Sequence, residues 1–571
     1  MRNNLRKKFL SVIALGAYCS AAQAQTTYLN PGSPEYHLAD RMETKTGILS
    51  KEFNTAMQPL SRKDLVSYLS DLGREARVGR LSTNAVDEFN ISRAISISGE
   101  WHENASGESG FVRSKKPILK YFYQTQTDLV NVETDDFFLS VNPVLYLQAG
   151  YDVTDKSVKF TNTRGLELRG RITDRIGFYT MLADNQERVP GYLNSWISRH
   201  RGQFPGTHYA AQNGQTFDIF LARGYVDFAL VQDHANITFG YDKQQVGFGI
   251  RSLVLSNNAA PSTFVRLRAN WKNFFYESII LEQIANNEVR QTTGDGLLPK
   301  QYAAVHQLNY VPTSWLSVGI FESTVCSKAG KMPAGIFVPV IGYQSIARQV
   351  NNDGRNNAWG LQFKALPVNG VQVYGQAFLD KLDPGSIGKG SWKNQYGLQL
   401  GLKYYDVATL KNLDLQLELN AVRPFTYAAA TDSTAAFAHY NQPMAHPLGN
   451  NFVEVIGNLR YQPAPLWTIE GRGVYAVYGG DMPNGAYVGS GIYRAATGRA
   501  FGDNNQYPML AGNKTKMAWA NLNVGYELRP NLFLEAGGIL SLSNQVQPAE
   551  PRMYGYGGLR WNISRNIYDY N

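Results

Sequence analysis

Cysteine is nearly missing from this chain of 571 residues: there are two, Cys19 and Cys326. Cys19 lies in a leader-like N-terminus, so a processed chain keeps Cys326 alone. That excludes an intrachain disulfide and a thiolate metal site. Also missing is any run of ~18 consecutive apolar residues, so no helix is expected to cross a membrane. Signs of catalysis are sparse. His102-Glu103 lacks the second histidine of a zinc-protease pair. Ala511-Gly512-Asn513-Lys514-Thr515 lacks the first glycine and the strand-to-helix setting of a phosphate loop. His439 and His446 sit near Asp432 and Ser433, yet a triad is defined by geometry, which spacing does not supply. The expectation is a protein that is not an enzyme and that uses no cofactor and no metal. Charge excludes a further class. The net charge of +9 includes four basic residues of the leader, and the +5 that remains is too mild and scattered for nucleic acid.

What the chain does have begins with that leader. Arg2, Arg6, Lys7 and Lys8 precede an apolar run from Phe9 to Ala17, and Ala22-Gln23-Ala24 is a small-x-small cleavage site. This reads as an export signal peptide over 1–24, too short to span a bilayer. Tyr18 stands where a lipidation box before Cys19 wants a small residue. Beyond the leader, alternation dominates. Leu413-Asp414-Leu415-Gln416-Leu417-Glu418-Leu419-Asn420-Ala421 puts apolar side chains on one face of a strand, acid and amide on the other. Tyr396, Leu398, Leu400, Leu402 and Tyr404 form a second apolar face with an aromatic at each end. Leu532, Leu534, Ala536, Gly538, Leu540 and Leu542 form a third. Segments of ~9–11 residues with this dyad pattern suit strands that meet lipid on one side and a wet lumen on the other. Aromatics at 12% and a mean hydropathy of −0.31 agree, because only alternate residues need face lipid.

The connections sort by length. Tight turns are expected at Thr173-Asp174-Arg175, Gln232-Asp233-His234, Lys272-Asn273, Pro312-Thr313-Ser314, Pro367-Val368-Asn369-Gly370, Pro463-Ala464-Pro465 and Arg529-Pro530-Asn531. Between them lie polar, glycine-rich stretches near 184–215, 242–262, 284–300, 324–356, 380–391, 423–451 and 479–514. An up-and-down barrel puts every short turn on the periplasmic rim and every long loop outside. The fold class expected is therefore all-β: a closed antiparallel transmembrane β-barrel of about 18 strands over 92–571, in the outer membrane of a Gram-negative cell. Residues 25–91 read differently. His37 to Lys45 and Leu65 to Arg77 have helical spacing, Ser61-Arg62-Lys63-Asp64 resembles a capping box, and a third helix starts near Thr83. These helices precede the first strand and so belong at the periplasmic end, as a plug or as a dock for a periplasmic or export-machinery partner.

One segment adds a resemblance. Gly240-Tyr241-Asp242-Lys243, Gly247-Phe248-Gly249-Ile250-Arg251 and Ser252-Leu253-Val254-Leu255-Ser256-Asn257-Asn258-Ala259-Ala260-Pro261 together resemble the signature of the Wzi family of capsule-assembly proteins. Asp40 to Leu69, with its Pro59-Leu60 step, is similar to the family's helical N-terminus. Arg423-Pro424-Phe425-Thr426-Tyr427 and His446-Pro447-Leu448-Gly449-Asn450-Asn451-Phe452 follow in family order. The chain departs at Val246-Gly247-Phe248, where the family often has a Trp-Gly-Pro-like step. The resemblance implies an outer-membrane barrel of about eighteen strands that holds capsular or other surface polysaccharide at the cell surface.

Sugars offer hydroxyls to amides and carboxylates, and apolar ring faces to aromatics. Tyr192, Trp196, His200 and Tyr209 in one long loop, with Tyr487 and Tyr493 in another, are therefore candidate polysaccharide contacts. Gly247, Gly249, Ser256, Asn257, Asn258, Pro261 and His446 are expected to be structural, tying down an inward-folded loop whose backbone would otherwise be unsatisfied. Glu167, Asp414 and Glu418, with Arg169 and Arg171, read as polar lumen wall. Two rival functions stay open: a porin-like solute channel, and a scaffold barrel for envelope secretion or assembly. The state of the lumen discriminates them, because helices at 37–91 and an inward loop at 247–261 would block a bore.

Overall fold

Strand alternation closes on itself in the structure, a computed structural model. It describes residues 26–102, 109–115, 117–118, 121–173, 175–208, 210–231, 233–284, 300–326, 332–351, 355–428, 435–503, 505–544 and 551–570. The export signal lies outside these. The barrel strands are β1 (Phe137–Asp152), β2 (Ser157–Ile172), β3 (Ile176–Arg188), β4 (Thr216–Val231), β5 (Ala235–Asp242) and β6 (Ser262–Trp271). Next come β7 (Phe274–Ile284), β8 (Lys300–Thr313), β9 (Leu316–Cys326), β10 (Asn356–Val368), β11 (Val371–Lys381) and β12 (Gln395–Tyr404). The last are β13 (Leu413–Val422), β14 (Phe452–Tyr461), β15 (Trp467–Gly480), β16 (Asn513–Arg529), β17 (Leu532–Ser543) and β18 (Arg552–Trp561). Each pairs antiparallel with the next, and β18 returns to β1 in the register Trp561↔Leu145, which closes eighteen strands. No described helix is long and apolar enough to cross a membrane; the strands do so.

The apolar rows face outward. Leu398, Leu400, Leu417 and Leu419 are exposed, while Gln399, Glu418 and Asn420 between them are buried in the lumen. Aromatics ring the periplasmic rim: Trp271, Phe274, Tyr310, Trp315 and Trp467 are exposed there, and Phe274 stacks on Tyr310 at 4.5 Å. That is the girdle expected where hydrocarbon meets headgroups. Turns at this rim are two to eight residues long, whereas 243–261, 423–451 and 481–512 connect strands at the other rim. Asn531 and Gly370 take left-handed φ of 61° and 87°, as tight hairpins require.

One expectation needs correction. Strands do not start near Ser92, because Asn84 caps a helix through Ile97 with a capping box and carries the chain past that point. Pro143 keeps its place in the strand ladder, opposite Leu166 of β2. It lies in β1 where β18 reaches only to Leu145 and the short strand Val130–Thr134 only to Val141, so its missing N–H faces a gap. Its carbonyl there accepts from Asn562 Nδ2 at 2.9 Å.

The helices before the barrel are α1 (Pro34–Thr46), α2 (Arg62–Arg77) and α3 (Ala85–Ile97); two short helices of the outer loops follow, α4 (Asn194–Arg199) and α5 (Tyr343–Asn351). Ser61 caps α2 by accepting from the Asp64 N–H at 3.1 Å. Leu38, Met42, Leu65, Leu69, Ile91 and Ala94 share one small core. Charges tie that core to the barrel, as described next.

Candidate functional site

The lumen has a floor built on ion pairs. Arg41 of α1 is buried and donates to Asp87 of α3 at 2.8 Å, to Asp414 of β13 at 2.6 Å and to Asp406 at 2.8 Å. Arg93 of α3 bridges Glu35 and Glu527 of β16, each at 2.7 Å. Asp40 receives Lys403 at 2.5 Å and Lys364 at 3.2 Å, and Lys364 also pairs with Glu43. Burial alone would raise the Asp40 carboxyl; the two ammonium groups outweigh it and hold the group at about 2. Removing one partner of such a buried pair is strongly destabilising, because an uncompensated charge is left behind.

A second element folds inward from the outer rim. Residues 243–261 descend into the lumen, where Gln245 and Val246 pair with Gln58 and Met57 beside the floor. Glu418 of β13 accepts from the N–H groups of Ile250 at 2.6 Å and Arg251 at 3.0 Å. A Cβ on Gly249 would stand 2.5 Å from the same carboxylate, so that approach needs glycine. Leu253 N–H donates to Gln376 at 2.7 Å, and Tyr427 Oη to the Leu253 carbonyl at 2.8 Å. Ser256 bonds the Ala445 carbonyl, and Asn258 Nδ2 the Pro443 carbonyl at 3.1 Å. Asn257 differs. Its side chain is exposed, and only its carbonyl is engaged, by Lys243 Nζ at 3.1 Å.

His446 lies under this loop. Its Nδ1 accepts from the Leu448 N–H at 3.2 Å, so Nε2 carries the proton given to Glu454 at 2.7 Å. Burial holds the ring neutral against the pull of Glu454. Glu454 also takes Arg251, whose guanidinium reaches Asp569 at 2.9 Å. Asp569 belongs to a third blocking element that the sequence did not reveal, the segment after β18. Ser564 donates to the Pro31 carbonyl at the floor, Arg565 pairs with Glu470 at 2.7 Å, and Tyr570 packs on Trp196 at 5.5 Å beneath the outer loops. Floor and roof are thus joined through the bore. A polar cavity of about 650 Å³ remains, running from His37 at the floor to His208, Lys243 and Asn257 at the top.

The proposed sugar contacts occupy other places than the surface. Trp196 and Tyr487 are 1% exposed, Tyr192 is 4% and His200 9%, because the long loops fold on their own aromatic cores. His200 stacks on Trp196 at 3.8 Å, bonds its carbonyl, and is pushed by burial to about 3. Tyr493 is partly buried, with its hydroxyl on the Asn441 carbonyl, and Tyr209 lies outside the described residues. These rings build the roof. His439 is likewise a tie, accepting from the Ile284 N–H and donating to the Pro261 carbonyl, while Asp432 and Ser433 lie outside the described residues. At the top of the cavity His208, Lys243 and Asn257 keep polar surface open, and the partly exposed ring of Tyr440 lies beside His208 with centroids 6.4 Å apart. Lys243 meets no carboxylate at ion-pair distance among the described residues. Its burial, and then the like charge of Arg223, lower its ammonium to about 8.

A lipid-facing barrel of eighteen strands, with helices at its floor and inward loops above, is an outer-membrane β-barrel. The family model described as capsule assembly protein Wzi matches residues 157–462, more than half of the sequence, and the chain belongs to that family. Among solved structures it is similar to Wzi, an outer membrane protein involved in group 1 capsule assembly in Escherichia coli and described as a carbohydrate-binding β-barrel. That match has 14% identity and a TM-score of 0.55, over 95% of this chain and 100% of the other. Two matches with lower TM-scores are the Pseudomonas aeruginosa outer membrane protein OprD (11% identity, 74% of this chain, 94% of the other, TM-score 0.40) and Acinetobacter baumannii OccAB2 (10%, 74%, 97%, 0.41). No curated protein matches by sequence.

Proposed function

We propose that this barrel attaches capsular or other surface polysaccharide to the outer membrane, by binding and without catalysis. The observation that carries the reading is the disposition of the lumen. Floor helices, the 243–261 loop and the segment after β18 meet inside it, which suits a rigid platform and opposes a solute path. Glycan contact is assigned to the groups left open at the top, namely His208, Lys243, Asn257 and Tyr440. They offer donors, acceptors and one ring face, and water-bridged bonds to sugar hydroxyls extend their reach. The aromatic cores around Trp196 and Tyr487 hold that surface in shape. The solvent-facing side of α2, with Asp71, Arg74 and Arg77 exposed, is the place for a periplasmic or export-machinery partner.

The test is the ratio of cell-bound to shed polysaccharide in a strain lacking the protein. Attachment requires glycan in the medium to rise several-fold at constant total synthesis, and the Lys243→Met, Asn257→Ala double variant to reproduce part of the release. An unchanged ratio together with impaired uptake of a small solute would establish the channel instead.

A further inference from the structure

The described part of the outer loop after β9, residues 332–351, does not rise from the rim. It folds down over the outside of the barrel. Tyr276 on β7 points away from the lumen, since Phe274 two residues earlier is exposed and Phe275 between them is buried. Yet its hydroxyl donates to the Pro339 carbonyl at 2.7 Å. Ile336 packs on Ile280, Tyr302, Ala304 and Cys326, all on the outward face of β7, β8 and β9.

Beneath this flap runs a polar row that a lipid-facing wall does not tolerate. Ser278, His306, Glu322 and Trp359 are successive cross-strand partners on β7 to β10. They share the parity of exposed Phe274, Tyr310, Ile320 and Leu361, and so face outward. Glu322 is nevertheless fully buried. It accepts from the N–H groups of Gly342 at 2.7 Å and Ser345 at 2.9 Å and from Ser345 Oγ at 2.7 Å. Those groups open the nine-residue helix α5 (Tyr343–Asn351), so a barrel carboxylate caps a loop helix and pins it to the wall. Trp359 Nε1 reaches the same Ser345 Oγ at 2.9 Å. Glu322 lies six steps along the strand from Leu316 at the periplasmic rim. At ~3.3 Å per residue and ~40° of tilt the pin stands roughly 15 Å up, inside a hydrocarbon band ~25 Å tall.

The outer side of the flap is mostly apolar, with Gln349 its exposed polar side chain. Phe337 and Val340 are exposed, with Ile346 62% and Val350 77% exposed on α5. Ile320 and Leu361, the next outward-facing pair toward the periplasm after Glu322 and Trp359, are exposed as well.

We propose that residues 332–351 form a lipid-facing flap, docked by Glu322, whose exposed apolar face lies among the acyl chains of the outer leaflet. Nitroxide labels on Ile346→Cys and Val350→Cys, in a Cys326→Ala background, test this in the full-length protein in lipid vesicles. Leu398→Cys on the barrel wall and Asn484→Cys on an outer loop are the references. Both flap labels should collide with oxygen about as often as Leu398→Cys and at least several-fold less with an aqueous nickel chelate than Asn484→Cys. Water-like accessibility at both would overturn the proposal. So would spin–spin broadening that grows with protein-to-lipid ratio, which would put a second copy on the patch. Glu322→Ala, or Ser345→Ala if the first barrel does not fold, should raise the mobility of the Val350→Cys label. Unchanged mobility in a folded variant would mean the flap is not held by this cap.

Discussion

Leu417 and Gln416 are neighbours in β13 with opposite fates, and single substitutions should separate them. Leu417 and Leu400 face hydrocarbon near mid-height, so arginine at either should cost ~2–4 kcal/mol in a membrane-folding titration. Gln416 points inward and bonds Tyr374 at 2.7 Å, so arginine there should be tolerated far better. Equal losses at 416 and 417 would break the register. Asp40 makes a pH prediction. Its carboxyl is held at about 2 in the folded protein against an ordinary value of 3.8, so the deprotonated state stabilises the docked floor. That contribution is complete above about pH 4 and disappears as pH falls through 2. Pepsin cleavage of the 26–97 segment should accordingly appear between pH 4 and 2, and shift to higher pH in Lys403→Met. Asn257 and Asn258 also part company. Asn258→Ala removes a buried-side tie to Pro443 and should lower stability by ~1 kcal/mol on heating, whereas Asn257→Ala should leave it near wild type.

At the scale of elements, the helical segment and the segment after β18 are separate stoppers that touch through Ser564 and Pro31. Deleting residues 30–90 should leave a barrel that folds, because the strands pair only with one another around the ring. It should conduct ions severalfold better in planar bilayers than the intact protein. Ending the chain after Trp561 instead should open the bore less at the floor but loosen the roof, because Asp569 no longer holds Arg251. No gain of conductance in either variant would mean that other elements close the lumen. Helix caps were legible in advance: Ser61 and the start near Thr83 announced α2 and α3, since capping is set by residues within one turn. The boundary at 92 was misplaced for the same reason in reverse. Ile91 to Ile97 alternate enough to pass for a strand, and only the pairing partners available in space decide that they do not form one.

The whole molecule is a closed ring of strands around a polar interior of limited size. The intact protein in planar bilayers should therefore show little steady conductance, and its loss should be felt in polysaccharide retention. Strands, lipid-facing rows, the eighteen-strand size and the sorting of short and long connections were all readable from local patterns, because a dyad repeat and a turn depend only on neighbours along the chain. The Wzi-like run at 240–261 was readable too, and with it the inward loop.

The location of the loop aromatics was not readable. Trp196 and Tyr487 suit sugar stacking as well as a loop core by residue type, and only packing shows that each is buried. Arg251, Glu454 and Asp569 form one network from three distant stretches, and no spacing announces it. Glu322 faces outward from β9, and only the cover that α5 gives it from outside satisfies that buried carboxylate. The sequence by itself determined the barrel and its register with the membrane, since those follow from periodicity. What fills, roofs and wraps the barrel was decided by tertiary structure, since a buried charge finds its partner through space and not along the chain.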